Sequence, residues 1–147
     1  MNLDQKLMDA AVAQLDRRWP AGQHGGAAAM YLEDGRIVTS VGFDNVNGGA
    51  SLCGETGAIC QAYTLGLRVT ASVFVFREIG GEPYVMAPCG ICQERLAMWG
   101  PDVQVAVPDP ASETGWGVRT LAEVHPYYWA KVFAGGEWPP SSLHAQP

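Results

Sequence analysis

Two short stretches hold the residues best suited to chemistry: Cys53-Gly54-Glu55 and Pro88-Cys89-Gly90-Ile91-Cys92. The spacing of Cys89 and Cys92 lets two thiolates at a helix start face one ion. Cys53 can add a third thiolate from a second helix start. Three protein ligands leave the fourth tetrahedral position open for water, the arrangement of a catalytic zinc and not of a structural one. Helix N-termini favour thiolates through the dipole and the free N–H groups. Three thiolates leave Zn²⁺ with a net negative charge, so that help matters. Zinc lowers the pKa of bound water to roughly 7. Glu55 follows a ligand closely enough to reach such a water as a proton carrier without ligating.

The same residues admit other readings. The cysteines could be plain buried thiols. Cys89 and Cys92 have redox-dithiol spacing, but that reading leaves Cys53 and Glu55 without a role. Cys60 could complete a structural zinc site. It lies two helical turns past Cys53, so it reads instead as a core cysteine on the same face. Glu55 could be an ordinary helix-start acid. From another class, the chain could be a noncatalytic zinc-binding assembly domain. His24, His125 and His144 are scattered and form no triad pattern.

The elements that must position these groups follow from periodicity. Leu3, Leu7, Met8, Ala11, Val12, Leu15 and Trp19 share one face of an opening helix, which Pro20 and Gly22 end. Ala27 to Leu32 reads as a small-residue strand, Asp34-Gly35 as a hairpin turn, and Arg36 to Val41 as the returning strand. Phe43 to Leu52 is polar and glycine-rich, hence a loop. Glu55 to Leu67 reads as helix, Ala71 to Phe76 as a buried strand, and Tyr84 to Met86 as a short strand. Pro88 opens a helix to about Trp99, stopped by Gly100-Pro101. Val103 to Val107 is the next strand, and residues 108–117 a long turn. Leu121 to Phe133 reads as a short helix or turn carrying aromatics. From about residue 135 a flexible tail is expected, mobile or held by Trp138 alone. Alternating strands and helices make an α/β layered domain, expected to be single over residues 1–147. Both cysteine helices follow loops at strand ends, where open α/β sheets build their sites.

Composition narrows the function. The 147 residues are 48% hydrophobic and 16% charged, with a net charge of −6. That composition has too much to bury for disorder. No stretch approaches the ~20 apolar residues that span a bilayer, so no membrane role is expected. The N-terminus carries acids early and lacks a secretion-signal pattern, and close cysteines then read as metal or redox sites in a cytoplasmic protein. An acidic chain without a Lys/Arg cluster is a poor partner for nucleic acid polymers.

The C-x-E and P-C-x-x-C pair resembles the zinc-dependent nucleobase deaminases, and specifically the small cytidine deaminase and blasticidin S deaminase group. Further counterparts are Asp34-Gly35-Arg36-Ile37 and the segment from Thr120 to Pro126. The resemblance implies a cytidine deaminase-like three-layer α/β fold, a mixed β-sheet flanked by helices. It implies Zn²⁺ on Cys53, Cys89 and Cys92, with Glu55 carrying a proton from water to the pyrimidine N3 while C4 loses its amine as ammonia. The substrate implied is a free cytosine-type nucleoside, cytidine or deoxycytidine first, with a modified nucleoside such as blasticidin S as alternative. A homotetramer is implied, with a homodimer as alternative.

Several positions depart from that pattern. Gly42 stands where the family places a sugar-binding Asn, and Asp44 can replace the accompanying Glu. Asp44, Asn45 and Gly54 are the candidate substrate contacts, with Phe43 and Trp129 as weaker ones. Gln23-His24-Gly25-Gly26 stands where a phenylalanine usually lines the base pocket. Gly54 replaces the usual Ala. The arginine that offsets thiolate charge is absent from its usual places, and Arg95 or Arg68 could substitute. Tyr127, Tyr128 and Trp129 resemble the aromatic ending of blasticidin S deaminases.

Overall fold

The computed structural model describes residues 2–140. Helix α1 spans Gln5–Arg18 and buries Leu7, Met8, Ala11 and Leu15. Asp4 starts it: its carboxylate accepts from Leu7 N at 3.0 Å and from the Tyr31 hydroxyl at 3.0 Å. One side chain thereby satisfies a free helix donor and ties the helix to the strand beneath.

Strands β1 (Gly25–Leu32) and β2 (Ile37–Val41) form the expected hairpin. Helix α2 covers Thr56–Leu65, ended by Gly66 at φ 67°, a left-handed conformation that suits glycine. Strands β3 (Val69–Arg77) and β4 (Tyr84–Val85) lead to helix α3 (Gly90–Leu96), which tightens into a 3₁₀ turn over Ala97–Trp99. Then come β5 (Gln104–Pro108), β6 (Trp116–Thr120), the short helix α4 (Leu121–Val124) and a 3₁₀ turn over Trp129–Ala134.

The sheet runs β2-β1-β3-β5-β6, with β4 paired to the far end of β3. The β3–β5 pair is parallel and the others are antiparallel, so the sheet is mixed. Side chains on β3 alternate between its faces from Ala71 onward, and a register shift against Leu32 turns Val69 to the other face. Val73 and Val75 pack under α1 with Ala27, Ala29 and Tyr31. Met30, Leu32, Val69 and Val105 pack on the other face with Ala58 and Ala62 of α2 and Leu96 of α3. The result is the three-layer α/β arrangement expected.

Strand β6 was not expected, because the Gly- and Ser-rich stretch around it reads as turn. Cys60 is a correction: it is exposed, not core. The helix begins only at Thr56, so the helical period cannot be counted back to Cys53. Cys60 falls beside the buried stripe of Ile59 and Ala62. Of the tail expected over about 135–147, residues 135–140 are described. Trp138 stacks on Tyr128 with centroids 4.5 Å apart, and its Nε1 donates to the Ala97 carbonyl at 3.1 Å. Residues 141–147, His144 included, lie outside the described residues.

Candidate metal centre and active site

The N-terminus of α2 is seated on β2. The Ser40 hydroxyl donates to the Gly54 carbonyl at 2.5 Å. A Cβ on Gly57 would lie 2.7 Å from Ser40 Cβ, so only a glycine lets the helix rest this close. These contacts fix Cys53 and Glu55 at the sheet edge. The third helix arrives by another route. Met86 N donates to the Phe74 carbonyl at 3.1 Å, extending the β4 pairing, and Cys89 then becomes the N-cap of α3.

The two helix starts meet. The sulfurs of Cys53, Cys89 and Cys92 all lie within 4.8 Å of one another, and Cys53 Sγ is 3.3 Å from Cys89 Sγ. Three sulfurs bound tetrahedrally at about 2.3 Å would be about 3.8 Å apart, within the observed range. The electrostatics also fit a cation. Burial pushes the Cys92 thiol well up, helped by the neighbouring Glu55 carboxylate and the other two sulfurs. Burial also raises Cys53. Burial opposes ionisation of Cys89 too, but backbone N–H groups of Cys92 and Ile91 and the neighbouring thiols outweigh it, and Cys89 lies below the usual thiol range. Three thiolates this close repel one another, and a divalent cation removes that conflict.

Glu55 is 2% exposed. Burial raises its carboxyl above the usual range; its own backbone N–H, the Cys92 thiol and the Arg95 cation only partly oppose this. A carboxyl raised by burial is better matched to proton exchange than an ordinary exposed one. Arg95 reaches across from α3 and donates to Thr56 Oγ1 at 2.6 Å. Arg68 lies elsewhere, donating to the Trp99 carbonyl, so Arg95 is the cation beside the site.

A cavity of about 350 Å³ opens onto this cluster, lined by Cys53, Gly54, Glu55 and Cys89 on one side and by Phe74, Phe76, Tyr84 and Met86 on the other, with Glu78 among its lining residues. That volume suits a small molecule. A second cavity of about 390 Å³ lies between α1 and β4 and holds no carboxylate, thiol or imidazole.

The other candidates lie apart. Phe43 pairs with Leu52 just before Cys53. Asp44 is exposed, and Asn45 closes a local turn by accepting from Asn47 N at 3.0 Å. None of the three lines the cavity. Trp129 donates through Nε1 to both carboxylate oxygens of Glu94 at 3.0 Å, so it sits on the outer side of α3. The aromatic wall of Phe74 and Phe76 was missed, although their period-two spacing on a strand puts them on one face.

Residues 1–107 match the family model of the cytidine and deoxycytidylate deaminase zinc-binding region, and the chain belongs to that family. The crystal structure of the cytidine deaminase from Bacillus anthracis superposes with a TM-score of 0.82 at 40% identity, covering 91% of this chain and 94% of that one. A Mycobacterium tuberculosis cytidine deaminase is 33% identical over 75 residues, 51% of this chain and 53% of that protein, so the match spans about half of that relative's length. A blasticidin-S deaminase from Bacillus cereus is 25% identical over 109 residues, 71% of this chain and 78% of that protein. The family's metal is zinc, and the three cysteines are the cluster that could hold it.

Proposed function

We propose that the protein is a zinc-dependent hydrolase that converts a free cytosine-type nucleoside, cytidine or deoxycytidine, to the uridine product and ammonia. The observation that carries this reading is the buried Glu55 carboxyl beside the three-sulfur cluster at one cavity. Cys53, Cys89 and Cys92 hold the zinc, which supplies Lewis acidity that makes water a nucleophile near neutral pH. Glu55 accepts the water proton and delivers it to ring N3, which makes C4 electrophilic. Water oxygen replaces the exocyclic nitrogen at C4, and Glu55 passes a proton to the departing amine. Asp44 and Asn45, on the loop that leads to Cys53, are proposed as sugar contacts from outside the cavity lining.

The Bacillus cereus match favours a second substrate, a modified cytosine nucleoside such as blasticidin S. The chain acts as one domain over residues 1–147, assembles as a homotetramer or homodimer and works in the cytoplasm. Exposed apolar side chains at Tyr63, Leu65, Ile91, Val132 and Phe133 support self-association. Free thiols in the metal cluster support a reducing compartment. Among the described residues no helix is long and apolar enough to cross a membrane.

The test is a panel of cytidine, deoxycytidine and blasticidin S, followed by loss of cytosine absorbance and release of ammonia. The account expects turnover of at least one. Zinc-loaded protein that releases ammonia from none of them supports the noncatalytic assembly domain instead.

A further inference from the structure

One wall of the cavity that Glu55 lines is built from an aromatic side chain and two glycines that make room for it. Phe74 rises from β3 on the face away from α1, with Phe76 next on the same face. In the register of the sheet, Ala28 faces Phe74 and Gly26 faces Phe76. A Cβ on Gly26 would lie 2.5 Å from Phe74 Cζ. A Cβ on Gly54 would overlap the Phe74 ring at Cε2. Neither contact is one that a real side chain makes, so both positions admit the ring only because they carry no side chain. Gly42 closes the same corner, its Cβ position 3.8 Å from the Gly26 carbonyl and 3.9 Å from Gly54 N. Phe74 stays half-buried, one side on glycine backbone and the rest lining the cavity with Glu55 and Cys53.

We propose that Phe74 is the surface on which the pyrimidine ring stacks, and that Gly26 and Gly54 are its seat. This rests on the deaminase reading of the same cavity. A flat ring laid on Phe74 can turn its edge toward Glu55, which lines the same cavity, and N3 takes a proton in the plane of the ring. Stacking is blind to the sugar and to ring substituents, because every base has a π-face. Base recognition therefore comes from β3, and the small residues of β1 supply space. It follows that Gly54 and Phe74 are coupled: an alanine at 54 is harmful while the phenylalanine is present.

The experiment uses zinc-loaded protein and the variants Phe74→Leu, Phe74→Ala, Gly54→Ala and the double variant Gly54→Ala/Phe74→Ala. Zinc content, melting temperature, uridine binding by calorimetry and cytidine kinetics are read for each. Phe74→Leu keeps an apolar filler and loses the π-face. It is expected to keep zinc and stability while uridine Kd and cytidine KM rise about tenfold, the scale of one lost base–aromatic stack. Gly54→Ala is expected to weaken uridine binding at least as much. Adding it to Phe74→Ala is expected to cost less than threefold more. Uridine binding by Phe74→Leu at the wild-type affinity overturns the proposal. So do Gly54→Ala and Phe74→Ala effects that simply multiply. Wild-type protein that deaminates none of cytidine, deoxycytidine and blasticidin S overturns the deaminase reading itself, and this inference with it.

Discussion

Arg95 Nη1 donates a 2.6 Å hydrogen bond to Thr56 Oγ1, tying the last turn of α3 to the first turn of α2 directly after Glu55. The bond does two things. It holds together the two helix starts that carry the cysteines, and it keeps a cation near the Glu55 carboxyl, where it opposes the upward push of burial. Arg95→Met should remove a charge-assisted bond worth about 1.5–3 kcal/mol. It should also let the Glu55 pKa rise further. In the proposed mechanism ionised Glu55 is the form that accepts a proton, so the acid limb of kcat/KM should move to higher pH. A pH–rate profile of the zinc-loaded variant checks this; an unmoved acid limb would show that Arg95 acts through packing alone.

Arg77 is 4% exposed on β3 and joins the end of α1 to the sheet. It donates to the carbonyls of Gln23, Trp19 and Pro20 and to Asp16 at 2.6 Å. Removing it takes the donor from three part-buried carbonyl bonds and empties the place of a buried side chain. Arg77→Ala should therefore cost about 3 kcal/mol, a fall of about 10 °C in Tm for a chain of this size. Asp16 is 55% exposed, so its share of the ion pair is screened by water. Asp16→Asn should cost under about 1 kcal/mol. Thermal melts of both variants decide it, and equal losses would place the energy in the ion pair instead of the carbonyls.

Thr120 and Glu123 form a reciprocal cap at α4: the Thr120 hydroxyl accepts from Glu123 N at 3.3 Å, and the Glu123 carboxylate accepts from Thr120 N at 2.6 Å. The Thr120 backbone N–H, then its hydroxyl, hold the Glu123 carboxyl below its usual range. A depressed folded pKa gives stability that is present above the unfolded value, about 4.3. That stability is lost as pH falls through the folded value. Wild type should therefore exceed Glu123→Gln in urea midpoint at pH 7, and the gap should close below about pH 4. A gap that stays constant with pH would mean that the cap does not depend on the charge.

The zinc cluster could be read in advance because its information is local. Cysteine spacing and a helix start bring Cys89 and Cys92 together, and Glu55 follows Cys53 two residues on in sequence. The fold class was equally accessible from the periods of α1 and β3. Distant pairing escaped such reading. Strand β6 carries Gly117 near its start and exists through its ladder to β5, including Val105 to Arg119 and Val107 to Gly117. The choice between Arg95 and Arg68 depended on which loop end each one faces. The meaning of Gly26 and Gly54 emerged only once Phe74, distant from both in sequence, was seen to lie against them.

The central claim is that Glu55 moves the proton while three cysteines hold the metal. Its most direct test is Glu55→Gln, which keeps the side chain's shape and removes its acid. The account predicts zinc content equal to wild type, near one per chain, with cytidine deamination reduced by about a hundredfold or more. Zinc-loaded Glu55→Gln that deaminates cytidine at the wild-type rate would contradict it.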